Sequence, residues 1–404
     1  MAQQALVGSE SLGYHVRMCS LSDFSDSAAI QRRATLQWPF FEQLLRRLLK
    51  PLANVRKHPE SFHKGLRLLS IDGTQYSLRN TAEVLSLPRQ RPRNQHRSPA
   101  AFMKWSTAVL LELGPHQPLA VACNIAGSSR EEGEIDIARR TLHALPTAGP
   151  SLLLGDRLYG CGSFILDVRE ASAQTHVLVR VRSNVRGKML QVLGDGSALV
   201  QAHSEARARA GKASKVLVRE VRASITTPGK PPQIIRLWTT LLDEKKHPGQ
   251  ELVKLYAQRW EQEMFFRELK HHVASTGMLK AGSEQSAQAE FVAQILAASL
   301  VAQQRVKSTE ANDELLTRYS ARKVARMLES ISVVEQLVGD QLDEKQRAKM
   351  AERWLARVAR EARIPPRRSR RCQRGLRQPR SDWPVVRTRC KLDATVDVVT
   401  LAYE

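Results

Sequence analysis

Cysteine is scarce in this sequence, and its spacing matches no common metal or disulfide pattern. The chain of 404 residues has five cysteines: Cys19, Cys123, Cys161, Cys372 and Cys390. Their number is odd and no two form a C-x-x-C pair, which argues against a zinc knuckle or a disulfide framework and fits a reducing compartment. The sequence also lacks a basic-then-apolar N-terminal signal and an apolar run long enough to cross a bilayer. We therefore expect a cytoplasmic protein with no membrane partner.

Acidic residues are outnumbered in this sequence. It contains 40 Asp and Glu against 63 Lys and Arg, and its net charge is +23. A surplus of this size predicts a polyanionic partner, most often nucleic acid. A charge that serves only solubility, or a ribosome-like association, is the alternative. No long basic amphipathic segment dominates the chain, which argues against an anionic membrane surface as the partner.

Glycine and proline are absent between Gln250 and His272, a stretch rich in good helix formers. Pro248 and Gly249 stand just before it, where a chain commonly enters a helix. The pattern predicts one helix of about six turns at about 3.6 residues per turn. Four of its polar side chains lie within about 60° on a helical wheel: Tyr256, Arg259, Glu263 and Lys270.

Two interpretations of this polar face remain open from the residues alone. Arg259 and Glu263 are four residues apart, so the face could be a solvated surface with ordinary, weak ion pairs. A carboxylate among a phenol and two cations is also what a phosphodiester site requires. The carboxylate would hold a divalent metal, and the other groups would hold backbone phosphates.

Two aspartates follow short apolar segments. Residues 66–71 predict a buried strand, and Asp72-Gly73-Thr74 predicts a turn into a second strand at residues 75–78. On this feature alone, a plain hairpin with no catalytic role is the better explanation. Residues 151–154 predict a central strand of an α/β sheet, with Asp156 just past its end, where such sheets place ligands. Ordinary turn chemistry is the alternative for Asp156.

The spacing Tyr-x2-Arg-x3-Glu-x6-Lys, with Trp260 after the arginine, resembles the signature of the insertion-sequence-4 family of DDE transposases. Asp72 in its DGT segment and Asp156 in LLLGDRLY match the family's two upstream aspartates. The resemblance covers roughly residues 65 to 305 and implies Asp72, Asp156 and Glu263 as the catalytic and metal-binding acids. It implies two Mg²⁺ ions, for which Mn²⁺ could substitute. It implies DNA phosphate contacts from five residues: Tyr256, Arg259, Lys270, Trp260 and Arg157.

The resemblance also implies a fold. We expect an α/β, ribonuclease-H-like mixed sheet flanked by helices, with a β-rich insertion before the catalytic helix and a helical and basic C-terminal region. The predicted segments are a short helical or loose N-terminal region (1–60), the first part of the core (61–182), the insertion (183–245), the second part of the core (246–306), C-terminal helices (307–364) and a basic arm (365–404). Glu134 falls at the start of a helix predicted from Ser128, where capping and the helix dipole explain it.

The function implied is cut-and-paste DNA transposition: metal-dependent cleavage and strand transfer at the ends of an insertion sequence. The partners would be double-stranded DNA, as inverted-repeat ends and target, and a second copy of the chain in a synaptic complex on the nucleoid. Two alternatives stay open. One is a metal nuclease of the same fold, and the other is a catalytically silent DNA-binding remnant or inhibitor, which the short region before Asp72 favours.

Overall fold

The computed structural model describes residues 5, 14–16, 25–86, 101–125, 132–226, 231–273, 278–310, 314–364 and 397–403. The strands there are β1 Phe62–His63, β2 Leu66–Leu78, β3 Lys104–Glu112, β4 Gln117–Ile125, β5 Ser151–Gly155, β6 Thr175–Arg180, β7 Lys188–Val192, β8 Ala198–His203, β9 Lys215–Thr226, β10 Gln233–Thr239, β11 Met278–Leu279 and β12 Asp397–Leu401. The α-helices are α1 Asp26–Thr35, α2 Trp38–Leu48, α3 Ala82–Leu85, α4 Glu134–Arg139, α5 Leu145–Ala148, α6 Gly162–Ala171, α7 Glu205–Arg209, α8 Gly249–Tyr256, α9 Trp260–Glu268, α10 Glu284–Glu310, α11 Ala321–Val338 and α12 Glu344–Glu361.

Within the described ranges, 12 strands form one sheet with the main order β4-β3-β2-β5-β6-β10-β9-β8-β7. The strands β2, β3 and β4 pair antiparallel, whereas β2, β5 and β6 pair parallel. The short strands β1 and β11 join β2, and β12 joins β9. The sheet is therefore mixed, as predicted.

Successive side chains of β2 point to opposite faces of the sheet, so the strand contributes to two hydrophobic cores, one on each face. Leu68 packs in one core with Phe265 of α9 and Phe291 of α10. Its neighbour Leu69 packs in the other core with Phe164 of α6. Because helices cover both faces, the expected mixed sheet flanked by helices is confirmed. None of the helices in these ranges is long and apolar enough to cross a bilayer.

The predicted β-rich insertion is confirmed as β7 to β10, and it extends the same sheet through the pairing of β10 with β6. A fully buried carboxylate, Glu220, ties the insertion together by accepting bonds from Arg222, Arg236 and Trp238. These donors keep the pKa of Glu220 low despite its burial. The insertion thus continues the sheet of the core, and its boundaries at 183 and 245 stay predictions.

The turn predicted at Asp72-Gly73-Thr74 is wrong, because β2 runs without interruption from Leu66 to Leu78. The three residues pair in register with Val109, Ala108 and Thr107 of β3. Asp-Gly favours a hairpin turn locally, but nine consecutive residue pairs with a distant strand outweigh that preference.

The predicted helix over 250–272 has the expected extent but not the expected regularity. After α8, residues Ala257–Arg259 form a 3₁₀ turn, and after α9, Leu269–Val273 form a π-helical turn. Such turns are frequent at functional positions. At the N-terminus, α1 and α2 occupy part of the region predicted as helical or loose. Most of the predicted basic arm (365–396) lies outside the described residues, and residues 397–401 form β12.

Candidate active site

Two aspartates lie side by side where β5 ends against β2. The last parallel pair between these strands is Ile71 with Gly155, so Asp72 and Asp156 are the residues that follow on the two strands. Asp72 is inside β2 rather than at a strand end, but it stands at the point where β2 loses its neighbour. The sequence predicted that β2 ends in a turn at Asp72. In the structure β2 continues, and it is β5 that ends there.

The two carboxylates are close enough to repel each other. Burial raises the pKa of Asp72 to about 7, and the charge of Asp156 adds to this rise. The Gly73 amide, which donates to Asp72 Oδ1 at 2.9 Å, and the Arg259 guanidinium oppose it only in part. Asp72 is therefore a carboxyl group whose charged form lacks sufficient compensation in the chain alone.

The polar face of the α8–α9 segment lies over these strand ends. Arg259 donates to Glu263 Oε1 at 2.8 Å, and its second terminal nitrogen lies 3.5 Å from Asp72 Oδ2. The hydroxyl of Tyr256 donates to the carbonyl oxygen of Gly155 at 3.2 Å. The segment thus brings Glu263, Arg259 and Tyr256 to the sheet edge that carries both aspartates.

Lys270, Trp260 and Arg157 are the remaining predicted DNA contacts. Lys270 Nζ donates to Thr74 Oγ1 at 2.6 Å and to the Gln75 carbonyl at 2.9 Å, further along β2. Burial lowers the pKa of Lys270, with Lys104 adding to the effect. Trp260 is 60% exposed, and Arg157 is exposed as well. Lys270 therefore lies beside β2 beyond Asp72, and Trp260 and Arg157 face solvent.

A buried ionic cluster fixes the opposite side of α9. His116 contacts Glu268 at 2.8 Å and Glu261 at 3.5 Å, and Glu268 also lies 3.7 Å from Arg305 of α10. Glu261 accepts the Gly114 amide at 2.7 Å. Burial by itself would lower the pKa of His116, but the two carboxylates raise it to about 9. His116 is thus a charged anchor that holds the active-site helix to the β3–β4 connection.

Glu134, predicted as a helix-start residue, is the first residue of α4, and its side chain also lies against Gly73. The capping contact of α4 comes from Asp136, which accepts the Gly133 amide at 3.1 Å. Glu134 Oε1 instead accepts the phenol of Tyr159 at 3.1 Å. Loss of water around the Glu134 carboxyl raises its pKa first, and the charge of Asp156 raises it further. The structure therefore adds a fourth carboxylate to the neighbourhood of the aspartates.

Two signals in the sequence could have found Glu134. Glycine in the interior of a strand often marks a close approach of another group, and Gly73 is such a glycine. Tyr159 stands shortly after Asp156, and a tyrosine that is buried there, as it is in the structure, needs a partner for its hydroxyl. Both signals require the fold before they identify that partner as Glu134.

The donor types at this site fit a hard divalent cation, which prefers carboxylate oxygens. The repulsion that raises the pKa of Asp72 is the kind that such a cation relieves. In the described part of the chain, no three His, Cys, Asp or Glu side chains are already gathered at ligand distance. Arg259 stands between Asp72 and Glu263, so full assembly of the acids requires its guanidinium to move.

A comparison of the sequence with protein-family models matches residues 64–300 to the Transposase DDE domain. Transposase InsG for insertion sequence element IS4, from Escherichia coli strain K12, is 27% identical over 286 residues, which are 70% of this chain and 62% of InsG. The match thus spans less than two thirds of that relative. A solved structure of the piggyBac transposase synaptic complex with hairpin DNA covers 91% of this chain and 75% of its own, with a TM-score of 0.43 and 12% identity. A TM-score this low does not establish a shared fold.

Proposed function

Since the chain belongs to the Transposase DDE domain family, we propose that it is a DNA transposase acting at the ends of an insertion sequence. It would cleave a phosphodiester there and join the freed end to target DNA. The observation that supports this best is the adjacency of Asp72 and Asp156 at the end of β5, under the helix that carries Glu263. The family match spans all three acids.

Asp72, Asp156 and Glu263 would hold divalent metal, which we expect to be two Mg²⁺ ions with Mn²⁺ able to replace them. When bound, such ions activate water and stabilise the leaving 3′ oxygen of a phosphodiester. The side chains themselves would supply oxygen ligands where β5 ends beside β2. The high pKa of Asp72 means that it must lose a proton near neutral pH to serve as a ligand.

The cations and the phenol of the helix would bind the DNA backbone. Arg259 presents a planar fork that suits two phosphate oxygens, and it would exchange Asp72 and Glu263 for phosphate when DNA binds. Lys270 and Tyr256 flank it on the same surface. The exposed Trp260 ring could stack on an unpaired base, and Arg157 could contact a further phosphate.

The substrates would be double-stranded DNA: the inverted-repeat ends and the target. The net charge of +23 would draw this polyanion to the protein with a steep salt dependence. Two copies of the chain would bring two ends together in a synaptic complex on the nucleoid. Each copy would then supply its own acids to one end.

The test is cleavage of a duplex that carries the DNA bordering this gene. Wild type should cut at the element boundary in Mg²⁺, and Glu263→Gln should cut at least about 10²–10³-fold more slowly while binding the duplex equally well. Glu251→Gln is the matched control, because Glu251 lies on the same helical segment and pairs with Lys64 away from the acids. Binding without any cleavage by the wild type would contradict the proposal and favour a silent remnant or inhibitor.

A further inference from the structure

Glu134 approaches β2 at Gly73, next to Asp72, from the face of the sheet opposite to the helix of Glu263. It opens α4, whose Ile137 and Ala138 pack in the core that also holds Leu69 of β2. The helix α9 packs in the other core through Phe265. The sheet therefore lies between the two glutamates, and the open edge of β2 beyond the end of β5 is where both can approach Asp72.

Gly73 is what allows this approach. A Cβ atom at residue 73 would lie 2.5 Å from Cδ and 2.7 Å from Cγ of Glu134, a separation that real Cβ atoms do not show. Gly73 is not among the residues with positive φ, and it pairs with Ala108 in a regular strand. Residue 73 must therefore lack a side chain to leave room for Glu134, and not to adopt a backbone conformation that favours glycine. The Glu134 carboxyl fills that space, one residue from Asp72.

Tyr159, in the turn that follows β5, donates a hydrogen bond to the same carboxyl. It follows Asp156 in a turn in which the Tyr159 amide donates to the Asp156 carbonyl at 3.2 Å. Its buried ring packs on Phe164, and its hydroxyl donates to Glu134. The glycine beside one aspartate and the tyrosine beside the other therefore converge on one glutamate that the three-acid interpretation leaves out.

Glu134 has no cationic partner among the described side chains. Its hydrogen-bond donor is the neutral phenol of Tyr159, and part of the residue stays exposed to solvent. A carboxylate held at a defined place, open on one side and near two others, is suited to share a cation.

We propose that Glu134 is a fourth acidic residue of the metal-binding site, contributing a carboxylate from the face of the sheet opposite to Glu263. This role rests on the proposed function, since it presumes that Asp72 and Asp156 bind metal. It gives Gly73 and Tyr159 a shared purpose, which is to admit and orient the Glu134 carboxylate.

The experiment is Mn²⁺ binding to the full chain, measured by calorimetry without DNA, with thermal unfolding in parallel. Glu134→Gln keeps an acceptor for Tyr159 and should leave the melting temperature unchanged, while weakening Mn²⁺ binding at least about tenfold. Glu132→Gln removes the same charge two residues earlier, where the side chain pairs with Arg140, and should bind Mn²⁺ like wild type. Wild-type affinity in Glu134→Gln would overturn the inference.

Asp156→Asn separates this inference from the proposed function. Weak Mn²⁺ binding in Asp156→Asn together with normal binding in Glu134→Gln would refute the fourth acid and leave the proposed function standing. No Mn²⁺ binding by the wild type would refute both.

Gly73→Ala provides a second variant, because the added methyl should displace Glu134 without removing a carboxylate. Its effect on Mn²⁺ affinity should largely disappear in the Glu134→Gln background, since both changes act on one group. Fully additive effects would overturn the link between the two residues.

Discussion

One guanidinium, that of Arg259, lies between two of the acids. It donates to Glu263 at 2.8 Å and lies 3.5 Å from Asp72, although the two acids are far apart in the chain. A cation of the protein itself thus occupies the place between a strand carboxylate and a helix carboxylate. A divalent metal would compete with Arg259 for the two carboxylates, and a DNA phosphate would compete with the carboxylates for Arg259. Replacement of Arg259 therefore tests both interactions.

Replacement of Arg259 by alanine should change metal binding and cleavage in opposite directions. Without the guanidinium, Asp72 and Glu263 lose a competing cation, so the DNA-free chain should bind Mn²⁺ several-fold more tightly. DNA cleavage should fall, because a phosphate ligand is lost. Calorimetry with Mn²⁺ and a cleavage assay measure the two effects. Arg267→Ala, exposed on the same helix, should change neither, and weaker Mn²⁺ binding in Arg259→Ala would contradict the competition.

The high pKa of Asp72 predicts how stability depends on pH. Its pKa is about 7 in the fold against an ordinary 3.8, so between these values the folded state holds a proton that the unfolded state has released. The free energy of unfolding should therefore fall as the pH rises from about 4 to about 7. With EDTA present, Asp72→Asn should exceed wild type in stability at pH 8, by the order of a few kcal/mol, and match it near pH 4.

Urea titrations at the two pH values test this expectation. Asp136→Asn serves as the control, because Asp136 pairs with Arg139 and has a structural role at the start of α4. Equal stability of Asp72→Asn and wild type at pH 8 would show that the Asp72 charge is already compensated in the metal-free chain.

His116 should stabilise the fold in its charged form. Its pKa is about 9 in the fold against an ordinary 6.5, so its contribution is full below about pH 6.5 and is lost as the pH rises to about 9. Asparagine tolerates the positive φ of 59° at residue 116, but His116→Asn removes the charged partner of Glu261 and Glu268. We expect a loss of about 3 kcal/mol at pH 6.5, measured by urea unfolding.

A control for His116 is available in His143, an exposed histidine whose Nδ1 lies 2.8 Å from the Arg140 carbonyl oxygen of its own helical turn. His143→Asn should leave the unfolding free energy within about 0.5 kcal/mol of wild type. If the loss in His116→Asn were the same at pH 6.5 and pH 9.5, charge would not be the reason for it.

Lys270 should contribute one phosphate contact to DNA binding. Lys270→Gln should weaken binding about equally for all duplex sequences and reduce the slope of log K against log salt by about 1. Fluorescence anisotropy across a salt series measures both. Lys254→Gln, exposed on α8, is the matched control. An unchanged slope in Lys270→Gln would remove it from the DNA surface.

The sequence alone determined those features that depend on local pattern. The short apolar run at residues 151–154, between Gly149-Pro150 and Gly155-Asp156, indicated a central strand, because such a strand is buried on both faces and need not alternate. The spacing of Tyr256, Arg259, Glu263 and Lys270 specified a shared helical face, and the charge surplus indicated a polyanionic partner. None of these required knowledge of a distant residue.

Only the tertiary structure decided which residues meet. Local propensity placed a turn at Asp72-Gly73, whereas pairing with β3 kept β2 uninterrupted, and the early end of β5 left Asp72 without a neighbour on that side. Glu134 looked like a helix start until the fold placed it against Gly73 and Tyr159, which lie 61 and 25 residues away in the chain. The reason is physical: strand pairing and side-chain convergence are long-range contacts, and their energies outweigh local preferences that amount to about 1 kcal/mol per residue.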